Sequence, residues 1–213
     1  MDGKLVQLVP MEAEEHAEAL FEANQLDTEG TNWAYLPYGP FADLKSYHFW
    51  VRENQGLEDP VFLAIVEKES GRPLGIASYL RIHPAEGSIE VGHIHFSPLL
   101  QRTTSATESI NLMMKWAIEA GYRRYEWKCN ALNKASRRAA QRLGFSFEGI
   151  FRQMMIVKGR NRDTAWFAAI DREWPALKSA FERYLEEKNF DEEGRPLTSL
   201  SSLTAPLLHK KDV

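Results

Sequence analysis

The residues with usable chemistry fall in one stretch, 90–145. It begins with 90-EVGHIHF-96, a carboxylate followed by an HxH pair. In extended chain His93 and His95 share a face. An imidazole of ordinary pKa is a natural base near neutral pH. Glu90 reads equally as a solvated strand-edge carboxylate. Two such imidazoles also occur as a metal pair, but no third ligand stands in the pattern, so no metal is expected. Next comes 101-QRTTSA-106, which opens directly into a helical pattern. The N–H groups and positive dipole end of a helix start suit phosphate, and Thr103, Thr104 and Ser105 add hydroxyls. On these residues alone, ordinary helix capping by the same hydroxyls is the favoured reading. The third signal is 133-NKASRRAAQRLGF-145, a capped helix with a glycine stop. Its Arg137, Arg138 and Arg142 form either a solvated face or a phosphate contact.

The elements that position these groups follow from periodicity and punctuation. A short strand over 4–9 stops at Pro10. A helix over 12–23 follows, with Ala13, Ala17, Leu20, Phe21 and Asn24 on one face. The stretch 31-TNWAYLPYGPF-41 reads as a loop. Asp43 caps a helix to about Glu53, with Leu44, Tyr47, Trp50 and Val51 at helical spacing. Strands are expected over Val61–Glu67, Leu74–Ile82 and Ser88–Phe96, the first apolar enough to be covered on both faces. A helix over 105–120 carries the stripe Ile110, Met113, Met114, Ala117 and Ile118 and ends at Gly121. A strand over Arg123–Cys129, a helix from Asn133 to Leu143, strands over Phe145–Phe151 and Thr164–Ile170, and a last helix from Trp174 complete the order. Residues 188–213 read as a loosely attached, flexible tail. The result is a mixed α/β layer structure.

Composition bounds the class. The 213 residues are 44% hydrophobic, enough for a real core, and carry a net charge of −4, which argues against a dedicated nucleic-acid binder. One Cys cannot form an internal disulfide, so a reduced, cytoplasmic setting is expected, and Cys129 reads as an inert buried thiol. No signal peptide is expected at the N-terminus, and the apolar runs are too short for a bilayer, so no membrane association is expected.

Taken together, 101–106 and 133–145 resemble the GNAT superfamily of acetyl-CoA-dependent N-acyltransferases. That superfamily carries [R/Q]-x-x-G-x-[G/A] after its fourth strand and N-x-x-[A/S]-x-x-x-[Y]-x-x-x-G-F about thirty residues later. Gln101, Ala106, Asn133, Ser136, Gly144 and Phe145 fall on those positions. The run 105-SATES-109 and Ser136 look most like the branch that acetylates ribosomal-protein N-termini. The resemblance covers roughly residues 4–171. It implies the GNAT fold, a mixed, mostly antiparallel central sheet flanked by helices, as one domain over 1–171. The helix over 172–187 would pack on that domain.

The resemblance also implies a mechanism. The acetyl-CoA pyrophosphate would sit on amides of Gln101, Arg102, Thr103, Thr104, Ser105 and Ala106. The pantetheine arm would pair with the strand ending at Phe96, and Asn133 and Ser136 would reach its thioester end. The amine attacks the thioester carbonyl directly and the thiolate leaves. Two positions depart from the pattern: Thr104 stands at the central glycine, and Ala140 stands where a tyrosine often protonates the thiolate, a role left to Ser136. Several members of the superfamily place a strand glutamate as general base where Glu90 stands, six residues before Phe96; the glutamate of the ribosomal branch corresponds to Met155, so the resemblance implies Glu90, with a neighbouring His as the alternative.

The acceptor is a primary amine, either a protein N-terminal α-amine or a small molecule. A free α-amine, with pKa near 7.7–8.0, needs less help to deprotonate than lysine and suits a site without a strong base. Trp33, Tyr35 and Tyr38 in the aromatic loop can stack on that acceptor, or simply pin the loop to the core. Trp127 and Trp166 read as core, and Met154 and Met155 as pocket or core. Monomer and homodimer are both compatible with the chain. The rival readings are a CoA-binding sensor or scaffold without catalysis, motivated by Thr104 and Ala140, and an interaction domain that binds no CoA.

Overall fold

A computed structural model describes residues 1–212. The chain is mixed α/β, with seven mostly antiparallel sheet strands flanked by helices. It groups into two compact units, Met1–Ile82 with Glu90–Met113, and His83–Ile89 with Met114 onward. That division runs through the span 1–171 expected as one domain.

In the first unit the strands β1 (Val6–Pro10), β2 (Val61–Glu67), β3 (Pro73–His83) and most of β4 (Ser88–Phe96) lie side by side in chain order. β2 pairs antiparallel with β1 and with β3. Its centre, Phe62–Ile65, is buried throughout, which is why it reads as continuously apolar. Helices α1 (Ala13–Asn24) and α2 (Leu44–Asn54) cover this sheet. α2 begins where Asp43 accepts the Ser46 N–H at 2.7 Å in a capping box. α1 buries Ala13, His16, Ala17, Leu20, Ala23 and Asn24, while Phe21 is only half-buried. The 31–41 segment contains one short 3-10 turn, Thr31–Trp33.

The second unit holds β5 (Arg124–Asn130), β6 (Ser146–Val157) and β7 (Arg160–Ile170), with β7 central and antiparallel to both. β6 and β7 extend much closer to the 158–162 turn than the periodicity suggests. Polar and exposed residues there, Arg160 and Asn161 among them, are held by main-chain pairing rather than burial. Tyr125, Phe145, Phe167 and Phe181 form the aromatic centre of this unit. α3 (Thr104–Glu119) runs from the first unit into the second, and α4 (Lys134–Arg142) and α5 (Trp174–Leu185) lie in the second.

The expected loose tail is corrected by the structure. α5 is not the last helix: α6 (Leu200–Thr204) follows, with Leu200 and Thr204 buried. The Thr204 hydroxyl donates to the Arg142 carbonyl at 3.0 Å. The His209 N–H donates to Ser146 Oγ at 2.8 Å, and the Phe147 N–H to the Lys210 carbonyl at 3.0 Å. Scattered leucines in a polar stretch conceal this docking, because an irregular segment needs only a few anchors and no periodic stripe. Val213 lies outside the described residues.

Candidate active site

β4 carries the first group of candidates. Glu90 is 3% exposed, not a solvated edge residue, and its Oε2 accepts from Arg81 Nη1 at 2.8 Å. Arg81 sits at φ +47, in the left-handed region. The Asp59 carboxylate fixes that backbone by accepting the N–H groups of Arg81 at 2.9 Å and Ile82 at 3.0 Å. Asp59 and Arg81, neither singled out by sequence, therefore hold Glu90 in place. A buried carboxylate without such a counter-charge would be costly.

His93 breaks the extended strand at φ +50, a strained position of the kind found at functional sites. Its Nδ1 lies 3.2 Å from the Tyr38 hydroxyl, with the two rings stacked at 5.6 Å. His95 is 2% exposed and stacks under Trp33 at 3.7 Å between ring centroids. Burial pushes its pKa down to about 4, with the charge of Asp27 pulling weakly the other way. His95 is therefore neutral at pH 7 and a poor proton acceptor there. The structure makes it a packing residue, which corrects its expected role as a base.

That shift has a stability consequence. The folded pKa of His95 lies below the unfolded value of about 6.5, so the unfolded chain binds the extra proton first. The contribution is complete above pH 6.5 and is lost as the pH falls towards 4, in total about 3 kcal/mol. Denaturation midpoints measured across pH 4–7 should fall towards acid. His95→Phe should flatten that fall and cost little at pH 7, because it removes a ring nitrogen, Nε2, that has no hydrogen-bond partner. An unchanged slope in the variant would assign the acid sensitivity elsewhere.

The aromatic loop folds onto these histidines. Trp33 is 4% exposed and belongs to the core cluster with Tyr47, Val51, Phe62 and Ile76, so it pins the loop to the core. Tyr38 is half-buried against Trp33, Trp50 and His93, and Tyr35 is exposed. Gly39 makes this packing possible. It sits at φ +66, and a Cβ there would stand 2.3 Å from Trp33 Cε3. Gly39→Ala should therefore cost about 2 kcal/mol and shift the Trp33 fluorescence as the indole leaves His95. Melting and emission spectra together would check this.

The 97–106 segment joins β4 to α3. The Gln101 amide donates to the Phe96 carbonyl at 2.8 Å, and Arg102 turns the chain at φ +63. Thr103 is the helix cap: its hydroxyl accepts the Ala106 N–H at 3.0 Å and donates to the Leu100 carbonyl at 2.7 Å. Its hydroxyl is thus already used. The Thr107 N–H bonds the Thr103 carbonyl. Of the first-turn amides, those of Thr104 and Ser105 remain outside these pairings, at the positive end of a 16-residue helix. Two amides with flanking hydroxyls fit one phosphate of acetyl-CoA.

In the second unit, Asn133 caps α4 by accepting the Ser136 N–H at 3.0 Å. Ser136 Oγ accepts from Trp127 Nε1 at 3.0 Å, and its own O–H is the donor that Cys129 meets. Cys129 lies beside Ser136; burial raises its thiol pKa and Ser136 pulls it down, which leaves it a thiol. Arg137 forms a two-pronged ion pair with Asp212 and also donates to the Ala131 carbonyl, and Arg142 is partly buried. The arginines are thus not one solvated face. Among the described residues, no group of three His, Cys, Asp or Glu side chains is placed to hold a metal, and no helix is long and apolar enough to cross a membrane.

β4, the turn after it, α3 and the capped helix α4 stand in the order in which the two motifs are expected. The acetyltransferase (GNAT) domain model matches residues 6–146. The chain belongs to the GNAT family of acetyltransferases. A GCN5-related N-acetyltransferase from Brucella melitensis is 43% identical over 96% of this chain and 93% of its own, with a TM-score of 0.93. A GNAT-family structure from Chromobacterium violaceum ATCC 12472 is 44% identical over 82% of this chain and 87% of its own, with a TM-score of 0.77. A Salmonella typhimurium acetyl transferase that modifies the N-terminal serine of the 50S ribosomal subunit protein L7/L12 is 21% identical over 79% of this chain and 96% of its own, with a TM-score of 0.66. That last likeness shows the fold alone. Among curated proteins none matches the chain. This GNAT acetyltransferase is therefore an enzyme by family, and the acceptor is left to its own residues.

Proposed function

We propose that the protein transfers the acetyl group of acetyl-CoA to a primary amine, an N-terminal α-amine of a protein or a small-molecule amine, by direct attack on the thioester. The observation that carries this reading is the buried Glu90, oriented by Arg81 on the strand that leads into the 101–106 turn. Glu90 takes a proton from the acceptor ammonium, directly or through a water, and the free amine so formed attacks the thioester carbonyl. An α-amine with pKa near 8 needs less help to lose a proton than a lysine near 10.4 and suits this site better. The amides of Thr104 and Ser105 hold a phosphate, and Phe96, Gln101, Arg102 and Ala106 complete that turn. Asn133 and Ser136 serve the thioester end, where the Ser136 hydroxyl, polarised by the Trp127 indole, protonates the leaving thiolate. His93 and Tyr38 line the acceptor side.

The test is thiol release from acetyl-CoA against a panel of small amines, ribosomal-protein N-terminal peptides and lysine peptides. Turnover with α-amines above lysine is expected. Tight CoA binding with no turnover on any acceptor would favour a sensor that has lost catalysis.

A further inference from the structure

The helix α4 is 9 residues long, and within it only Ala140 is buried. A helix this short is marginal by itself, so its place is set by what it is tied to. No apolar stripe ties it, because Lys134, Arg137, Arg138, Gln141 and Arg142 make up most of its surface. Polar bonds to the last residues of the chain do. The Arg137 guanidinium pairs with both oxygens of Asp212, and its Nη1 donates to the Ala131 carbonyl at 2.8 Å. The Asp212 N–H donates to Gln141 Oε1 at 2.8 Å. Arg137 and Gln141, four residues apart, share one helix face. Asp212 therefore grips that face at two points, with its side chain and with its main chain. The pair is not a surface one: the Asp212 side chain is 6% exposed and that of Arg137 20%. A carboxylate so covered needs its counter-charge.

Ser136 precedes Arg137 in the first turn of α4. Its Oγ accepts from Trp127 Nε1 at 3.0 Å, and its O–H meets Cys129. Trp127 and Cys129 both belong to β5, so the place of the hydroxyl depends on how α4 lies on that strand. A rotation of α4 about its axis, or a slide along it, would draw Oγ off the indole. The bond from Arg137 to Ala131, in the turn between β5 and α4, opposes both movements, and Asp212 holds Arg137 to it. The electrostatics of Cys129 report the same neighbourhood. Burial sets its thiol pKa high, Ser136, Arg162 and Arg137 pull it down, and Asp212 pushes it back up. All these groups lie in the second unit.

We propose that Asp212 is a positioning residue, through which the C-terminal segment straps α4 to β5 and aims the Ser136 hydroxyl. This role rests on the reading in which that hydroxyl serves the leaving thiolate. The full-length protein is compared with Asp212→Ala, Asp212→Asn, Ser136→Ala and the double variant Asp212→Ala with Ser136→Ala. The first readout needs no turnover. In ¹⁵N-labelled protein the indole N–H resonance of Trp127 reports its bond to Ser136. It should move in Asp212→Ala, with the circular dichroism unchanged, and move less in Asp212→Asn, which keeps one acceptor for Arg137. The second readout is kinetic. In Asp212→Ala kcat should fall about tenfold, while the KM for acetyl-CoA stays within about twofold, because the hydroxyl is displaced rather than the cofactor site lost. In the Ser136→Ala background the same change should have no further effect, since nothing is left to position. An unmoved Trp127 resonance, a normal kcat in Asp212→Ala beside a slow Ser136→Ala, or an equal fall with and without Ser136 would each overturn the strap. A moved resonance with a normal kcat in Ser136→Ala would instead remove the thiolate assignment, and the positioning role would fall with it.

Discussion

Glu90→Gln is expected to lower kcat/KM by roughly 10²- to 10⁴-fold, the usual worth of a positioned general base. The change is isosteric. The new amide oxygen can still accept from Arg81, so the strand should keep its shape, and only the capacity to take a proton is lost. The affinity for acetyl-CoA, read by calorimetry, should not change, because the phosphate contacts proposed at Thr104 and Ser105 do not involve this side chain. The loss should be larger for lysine-type acceptors than for α-amines, because the latter are partly deprotonated near neutral pH without help. A fall of less than about threefold in kcat/KM at pH 7, with cofactor binding intact, would remove Glu90 from the chemistry. The base would then have to be sought at His93, whose Nδ1 meets Tyr38.

The second large effect concerns the fold. Glu108 lies in α3, is 5% exposed, and accepts three main-chain N–H groups, those of Lys4, Leu5 and Val6, at 2.9, 2.7 and 2.9 Å. It thereby ties the chain entering β1 to the helix that follows the phosphate turn. Hydrogen bonds to a carboxylate contribute about 1.5–3 kcal/mol each, and removal of the acceptor strands donors that are partly or wholly buried. Glu108→Ala should therefore destabilise the protein by about 4 kcal/mol, after some relaxation of the N-terminal segment. In a chain of this size that is a fall in Tm of roughly 8–16 °C. Glu108→Gln retains one acceptor oxygen and should lose less. Hydrogen exchange should show the amides of residues 4–6 losing protection in the alanine variant. A stability within about 1 kcal/mol of the parent would mean that water replaces the carboxylate fully.

Both residues show what can be read along a chain. Glu90 was visible because the resemblance to the GNAT superfamily places a strand glutamate six residues before the strand ends, at a position the local motifs locate. Glu108 was not singled out. It lies in a helix whose apolar stripe is carried by other residues, and its three partners are about a hundred positions away. Nothing at that sequence distance leaves a local mark. Asp59 and Arg81 were missed for the same reason: what they do depends on a backbone at φ +47 and on a carboxylate nine residues further on. His95 was misread in the other direction. An HxH pair suggests proton chemistry, but whether an imidazole titrates near neutrality depends on what covers it, and here Trp33 does.

Helix caps and glycine stops were legible because they are local. Asp43, Asn133, Gly121 and Gly144 each act on a backbone within a few residues, so sequence alone places the ends of α2, α3 and α4. The strands Val61–Glu67 and Ser88–Phe96 were equally plain, since burial on both faces or alternation writes itself into the order of residues. The two motifs, read in that order of elements, were enough for the GNAT family. Tertiary structure alone decided the rest. It docked residues 188–212 through a few anchors, buried Trp33 of the aromatic loop, and made Thr103 a helix cap. Pairing and burial are properties of neighbours in space, and a local pattern can name a side chain's chemistry but not its surroundings.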